Sequence, residues 1–426
     1  MLIELSGGNK MKVLQINTVC GIGSTGRIAS DIHKMLIERG HESIVAYGRG
    51  TAHNCDNTIK IGNDLDFYRH ALKTRILDKH GFGSKNATRK FIEEVKNHNP
   101  EIIHLHNVHG YYINIELLFN FLKEYNKPIV WTLHDCWGFT GHCAYFDYAN
   151  CYKWETHCQK CPEKKSYPKS IFLDNSYDNF EKKKKLFTGL KNMTLVTPSQ
   201  WLANLVKRSF LKEYPVKVIN NGIDLDVFKP TPSDFRKKYD LENKFIVLGV
   251  ASKWTRRKGL EYFIELSKML SNKEAIVLVG LSKKQIKGLP KNIVGITRTN
   301  STKELAEIYT ASDVFFNPTL EDNFPTANLE TLACGTPAIT FNTGGSIETI
   351  DASTGYIVEK GDLEEVKQII QRMEKEDKGK YSKYCIARAN NYYDKNKKFQ
   401  EYIELYKISM TINVRKGTEN NLLRKD

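Results

Sequence analysis

Residues 322–341 read DNFPTANLETLACGTPAITF: an acid, a proline-led helical pattern, a Cys-Gly-Thr-Pro turn and an apolar strand. Proline is favoured where a helix begins, because its missing N–H would have no partner there. Asp322 would then precede the helix and Glu330 would lie on its second turn. The free amides and dipole of a helix start bind anions. A diphosphate there, with sugar and ribose hydroxyls on the two acids, suits a sugar nucleotide; an ordinary capped helix is the alternative.

Short apolar runs alternate with amphipathic helical patterns along the rest of the chain, in two series. Alternation of this kind indicates right-handed crossovers and a parallel sheet, so each series predicts one doubly wound α/β domain. Ligands of such sheets bind at the carboxyl ends of the strands. The first series has runs at 13–16, 43–47, 102–105, 129–133, 194–197 and 216–219, and the second at 245–250, 275–279, 292–294, 314–316 and 338–341.

The acid pattern resembles the retaining glycosyltransferase family 4, of the GT-B fold, whose hallmark is Glu, seven residues, Glu. In this chain Asp322 takes the first position with Glu321 beside it, and Pro325 stands where many members have Gly. The resemblance spans residues 11–406, and HDCWGFTGHC at 134–143 is similar to a subgroup of bacterial surface-polysaccharide enzymes. It implies sugar transfer from a nucleoside diphosphate sugar with retention, by front-face attack with the leaving phosphate as base, and without a catalytic metal.

The predicted fold is therefore α/β, with two tandem Rossmann-like domains and a cleft between them. The acceptor-side domain covers 11–222 with a Cys-rich insertion at 136–165, and the nucleotide-sugar domain covers 245–390. A turn signal and two prolines mark 223–244 as a linker. By the resemblance, a C-terminal helix at 391–410 packs back on the first domain.

The resemblance also implies a donor site on the second domain. Lys258 matches the Lys of the family's Arg-x5-Lys-Gly motif, but Ser252 occupies the Arg position, so Lys253 or Arg256 would supply the second cation. Cations there neutralise a leaving diphosphate. Glu330 would hold the ribose, and either Asp322 or Glu321 the sugar. The predicted catalytic residues are His134, Lys258, Asp322 and Glu330; the predicted donor-binding residues are Gly23, Lys253, Arg256, Lys258, Glu321, Asp322, Phe324, Pro325, Thr326 and Glu330.

Two features of the first domain are also candidates for the site. The glycine-rich turn at 21–26 follows the first strand and permits a close approach to a ligand. No acid clearly ends the second strand, which argues against a dehydrogenase, and the resemblance places Gly23 beside the donor phosphates. His134 ends a strand where the family has a His near the donor sugar; a histidine satisfied by local hydrogen bonds is the alternative.

Four cysteines, Cys143, Cys151, Cys158 and Cys161, form a dense cluster in the insertion. The two-residue spacing of the last pair is typical of a zinc knuckle. Because no signal peptide opens the chain, a disulfide framework is not expected. We predict a structural zinc ion on these four residues, with His142 and His157 as substitute ligands; free thiols and disulfides are the alternatives.

The net charge of +15 favours polyanionic partners. No nucleic-acid-binding signature is present, so we expect an anionic membrane surface instead. The densest basic run is 182–185, for which a solvated helix face is the alternative. We predict a cytoplasmic enzyme, peripheral at the inner face of the plasma membrane, with a lipid-linked oligosaccharide acceptor and a UDP-sugar donor first, a GDP-sugar second.

Two rival functions stay open at this stage. One is a sugar-nucleotide epimerase or phosphorylase on a similar two-domain fold. The other is a basic membrane- or nucleic-acid-binding protein whose cleft is inactive.

Overall fold

The computed structural model describes residues 10–422, with side chains to residue 413, as two compact units. The first unit comprises the described residues up to Ile219 and from Phe399 onward, and the second is Asn220–Lys398. The segment 223–244, expected to be a linker, contributes Phe228, Phe235 and Leu241 to the core of the second unit.

The first unit contains a seven-stranded parallel sheet in the order β3-β2-β1-β4-β5-β6-β7. Its central strands are apolar and buried on both faces, as expected when helices cover both sides. The strands are β1 Lys12–Asn17, β2 Glu42–Tyr47, β3 Thr58–Lys60, β4 Ile102–Leu105, β5 Ile129–Thr132, β6 Met193–Thr197 and β7 Val216–Val218. The helices are α1 Gly23–Glu38, α2 Asp64–Leu77, α3 Lys85–His98, α4 Ile115–Tyr125, α5 Ser176–Phe187 and α6 Gln200–Arg208.

The second unit repeats this arrangement with six parallel strands in the order β10-β9-β8-β11-β12-β13. The strand order reverses between β1 and β4 in the first sheet and between β8 and β11 in the second, so each unit has a switch point there. The strands are β8 Phe245–Val250, β9 Glu274–Val279, β10 Ile293–Ile296, β11 Val314–Asn317, β12 Ala338–Phe341 and β13 Gly355–Val358. The helices are α7 Phe235–Lys238, α8 Leu260–Met269, α9 Lys283–Lys287, α10 Thr302–Ala311, α11 Thr326–Ala333, α12 Leu363–Met373 and α13 Gly379–Tyr392.

The last helix, α14 Lys395–Leu422, completes the first unit. Its Phe399, Tyr402 and Tyr406 pack in a buried cluster with Met11 and Val13 at the start of the chain. The sequence predicts a helix over 391–410; the structure instead ends α13 at Tyr392 and begins α14 at Lys395. Across the described part of the chain, no helix combines the length and apolarity needed to cross a bilayer.

The basic run at 182–185 is not one uniform face, because Lys183 is buried in the first unit. Its Nζ donates to the carbonyl oxygens of Trp137 at 2.8 Å and Thr140 at 3.0 Å, and lies 3.4 Å from the centre of the Trp137 ring. Burial lowers the pKa of Lys183 to about 7. This lysine therefore serves packing, and the other three remain exposed.

Candidate active site

Three loops meet at the carboxyl ends of the neighbouring strands β8, β11 and β12 of the second unit. The Leu320 N–H donates to the Arg257 carbonyl at 2.9 Å, and the Gly345 N–H donates to the Asp322 carbonyl at 3.1 Å. Gly344 has a φ of +53°, and a Cβ on it would lie 1.9 Å from the Asp322 carbonyl oxygen. Only glycine permits so close an approach. The loop after β12 thus fixes the backbone that carries Asp322.

Asp322 is paired with cations from the loop after β8. Its Oδ2 lies 2.6 Å from Lys258 Nζ and 3.7 Å from Arg257 Nη1. Burial alone would raise the pKa of the Asp322 carboxyl, but the two cations outweigh burial and keep its pKa below the ordinary value. The carboxylate is therefore ionised at neutral pH. Asp322 was expected to bind the sugar of a donor and Lys258 its diphosphate, and in the structure these two side chains pair with each other.

Arg257 is a cation of the site that was not among the predicted site residues. Its Nη1 donates to the Glu321 carbonyl at 2.5 Å, while Lys253 and Arg256, the two expected substitutes, are exposed. The buried Trp254 donates from Nε1 to the Val279 carbonyl at 2.9 Å, which fixes the start of this loop. The motif spacing could not identify Arg257, because it sits beside Lys258 and not at the family's position.

Glu330 lies on the second turn of α11, as predicted, and its side chain is buried. The Tyr309 hydroxyl donates to Glu330 Oε2 at 3.0 Å. This hydrogen bond orients one carboxylate oxygen within the interior of the second unit.

Helix α11 begins one residue later than the sequence predicts. Pro325 is the capping residue, with φ −68° and ψ 117°, and its carbonyl accepts from the Asn328 N–H at 3.1 Å. The first amides of a helix generally lack an α-helical partner, which makes the start of α11 a candidate anion site. Phe324, also a predicted donor contact, is buried in the core and packs edge-on to Tyr393.

In the first unit, the glycine-rich turn connects β1 to α1. Gly21 has a φ of +73°, and a Cβ on it would lie 1.8 Å from the His53 carbonyl oxygen. Gly23 is the first residue of α1, with a φ of +65° and open space where a side chain would stand. The turn is therefore packed closely against the His53 backbone at Gly21, whereas space remains beside Gly23.

His134 lies two residues beyond the end of β5 and, half-buried itself, contacts the buried imidazole of His106. Its Nε2 is 3.1 Å from His106 Nδ1, and His106 Nε2 is 3.1 Å from Gln15 Oε1. Burial lowers the pKa of His134 to about 4, and the pKa of His106 falls well below its usual range for the same reason. Both rings are therefore neutral at pH 7, so His134 can act through hydrogen bonds but not through charge.

A second pair near His134 was not among the predicted site residues. Asp135 Oδ2 is 3.0 Å from His109 Nε2, and His109 Nδ1 is 3.0 Å from the Tyr167 hydroxyl. Burial would raise the pKa of Asp135, but His109 and the Trp137 N–H outweigh it and lower the pKa. The position of His109 just after β4 was the only sequence signal available.

The four cysteines of the insertion line one cavity, together with His142 and Trp154. The Gly141 N–H donates to Cys158 Sγ at 3.2 Å, and all four thiols are free. Within residues 10–422, no group of three or more His, Cys, Asp or Glu side chains is arranged to hold a metal ion. The zinc site remains a prediction.

Known proteins resemble both units. The model for Glycosyltransferase Family 4 matches residues 25–227, and the model for Glycosyl transferases group 1 matches residues 233–392. A protein of Escherichia coli (strain K12) designated as a colanic acid biosynthesis glycosyl transferase, WcaC, is 25% identical over 93% of this chain and 99% of its own length. The chain belongs to glycosyltransferase family 4.

Other relatives of this family 4 enzyme agree. An N,N'-diacetylbacillosaminyl-diphospho-undecaprenol alpha-1,3-N-acetylgalactosaminyltransferase of Campylobacter jejuni is 27% identical over 48% of this chain and 57% of its own. The crystal structure of HepE from Anabaena in complex with UDP has a TM-score of 0.67 at 18% identity, covering 93% of this chain and 99% of that one. The predicted fold and glycosyltransferase function are confirmed, and neither rival function is supported.

Proposed function

We propose that the enzyme transfers a sugar from a nucleoside diphosphate sugar to a lipid-linked saccharide, with retention and without a catalytic metal, in capsule, exopolysaccharide or O-antigen synthesis. The UDP in the HepE complex supports UDP as the first donor, with GDP second. The names of WcaC and the Campylobacter transferase support a surface-polysaccharide pathway and an undecaprenol-linked acceptor. We place the enzyme in the cytoplasm, at the inner face of the membrane.

The contact between Asp322 and Lys258 is the observation that carries this proposal. At 2.6 Å, with Arg257 next to it, the pair lies at the β8–β11 switch point, where α/β sheets bind ligands. The donor's diphosphate would take over the two cations, assisted by the free amides of α11. Asp322, released from Lys258, would then accept hydrogen bonds from the sugar hydroxyls.

The transfer step needs charge stabilisation more than a protein nucleophile. The bond from the anomeric carbon to the diphosphate oxygen breaks, and the acceptor oxygen bonds to that carbon on the same face. The acceptor's proton passes to the departing phosphate oxygen. Lys258 and Arg257 would stabilise the negative charge of that phosphate in place of a metal ion.

The remaining predicted residues have supporting roles. Glu330, oriented by Tyr309, would bind the ribose hydroxyls. His134, neutral and held by His106, would offer a hydrogen bond to a sugar hydroxyl. The first unit would bind the acceptor.

Paired substitutions of the acids test the proposal. We expect Asp322→Asn and Glu330→Gln each to reduce donor turnover, Asp322→Asn by about 100-fold or more, while the melting temperature changes little. Glu265→Gln, on an exposed acid of α8, is the matched control and should be fully active. Normal turnover by the Asp322→Asn, Glu330→Gln double variant would refute this site.

A further inference from the structure

Helix α2 turns its apolar side chains toward solvent. Leu65, Tyr68, Leu72 and Ile76 are 40–67% exposed, and their spacing of three, four and four residues places them on one helix face. The opposite face carries the buried His70, Ala71 and Thr74 and the half-buried Phe67 and Leu77. A helix that merely covers a core shows the reverse arrangement, so this outward stripe is built for contact with something else.

A second exposed apolar segment is joined to the end of this helix. Ile171, Phe172 and Leu173 are 48–68% exposed. The Ile171 N–H donates to the Arg75 carbonyl at 2.8 Å, and the Leu173 N–H donates to the Ile76 carbonyl at 3.3 Å. These bonds unite seven side chains into one surface, called the α2 patch below. Its members are Leu65, Tyr68, Leu72, Ile76, Ile171, Phe172 and Leu173.

Cations outnumber acids around the α2 patch. Residues 67–77 contain three cations and no acid, and residues 164–173 contain three more cations and no acid. The acids Asp64 and Asp66 lie at the start of α2, where they suit the helix dipole, and Glu163 and Asp174 border the second segment. The six cations are Arg69, Lys73, Arg75, Lys164, Lys165 and Lys169.

We propose that the α2 patch docks the enzyme on an anionic membrane surface, with α2 lying in the plane of the headgroups. Leucine, isoleucine and aromatic side chains would enter the boundary of the acyl chains, and the flanking cations would meet lipid phosphates. Six flanking cations, with no acid between them within either segment, favour anionic lipid headgroups as the partner. The inference rests on the proposed function, since a lipid-linked acceptor must be reached at a bilayer.

Vesicle sedimentation tests this docking directly. We expect the full-length enzyme to bind vesicles containing phosphatidylglycerol at least about 10-fold more tightly than pure phosphatidylcholine vesicles, and less tightly as salt rises. Leu72→Asp combined with Phe172→Asp should abolish the preference. Ile37→Asp, on an exposed apolar residue of α1 outside the patch, is the control and should bind like the wild type.

Transfer to a water-soluble acceptor in detergent separates this inference from the proposed function. The double variant should keep wild-type turnover there, which also shows that it is folded. Wild-type vesicle binding by an active double variant would overturn the α2 patch as the docking surface, as would conversion of a dimer to a monomer without a change in vesicle binding. Absence of turnover in the wild type, with vesicle binding intact, would count against the proposed function alone.

Discussion

The two units share a strand order, but the side chains at the carboxyl ends of their central strands differ in charge. In the second unit, Lys258, Arg257 and Asp322 are charged and paired beside the start of α11. In the first unit, burial keeps His106, directly after β4, and His134, two residues after β5, neutral. A charged cluster suits a diphosphate, whereas neutral rings suit hydroxyl groups. The fold therefore determines where a ligand binds, while the burial and pairing of side chains determine whether it meets charged or neutral groups.

The largest effect should come from removing a cation of the second unit. We expect Lys258→Met to lower kcat by about 100- to 1000-fold, because the leaving diphosphate loses a preorganised positive charge. Lys268→Met, on an exposed lysine of α8, is the control and should retain full activity. Steady-state kinetics with a saturating donor measures kcat for both variants. Equal kcat values would show that the charged cluster does not contribute to catalysis.

The backbone that positions Asp322 can be perturbed without touching a charge. Gly344→Ala should lower the free energy of unfolding by more than the about 1–2 kcal/mol of left-handed strain, since its Cβ would lie 1.9 Å from the Asp322 carbonyl oxygen. Gly361→Ala is the matched control: its φ is +89°, but its nearest neighbour lies 3.8 Å away. Urea unfolding measures the free energy of unfolding of both variants. Equal losses would show that the close contact at Gly344 does not contribute to stability.

The neutrality of His134 predicts a flat response to pH. His134→Gln should reduce kcat by about 10-fold, and the ratio to wild type should stay constant from pH 6 to 8, because a group with a pKa of about 4 is already neutral there. The wild type should lose stability relative to this variant as the pH falls from about 6.5 toward 4, since the unfolded histidine takes up its proton first. A tenfold change of the kcat ratio near pH 6.5 would contradict a neutral ring.

The smallest effect concerns the cysteines of the insertion, whose predicted role is structural. Purified protein should contain about one zinc ion per chain, and Cys158→Ser should lower both the zinc content and the melting temperature by a few degrees. Cys385→Ser, on a buried thiol of the second unit, should leave the zinc content unchanged. Metal analysis showing no zinc in the wild type would favour free thiols.

Local pattern predicted much of this molecule. The apolar runs marked most strands, and the residues from Asp322 to Glu330 marked the acids and their helix. The three-residue edge strand β3 is too short for a periodic signal. The Arg257–Asp322 pair, the His109–Asp135 contact and the contact of the buried Lys183 with Trp137 each join residues 26 to 65 positions apart. Only the folded chain brings these residues together. The exposed apolar residues of α2 have ordinary helical spacing, so only the folded chain shows that they face solvent.

Titration calorimetry of nucleoside diphosphates is the most direct test of the proposed donor site in the second unit. We predict that the wild type binds UDP, or failing that GDP, at least about 10-fold more tightly than the nucleoside without phosphates, and that Lys258→Met combined with Arg257→Met erases the difference. Equal affinity of the wild type for the diphosphate and the bare nucleoside, or an undiminished preference in the double variant, would contradict the account.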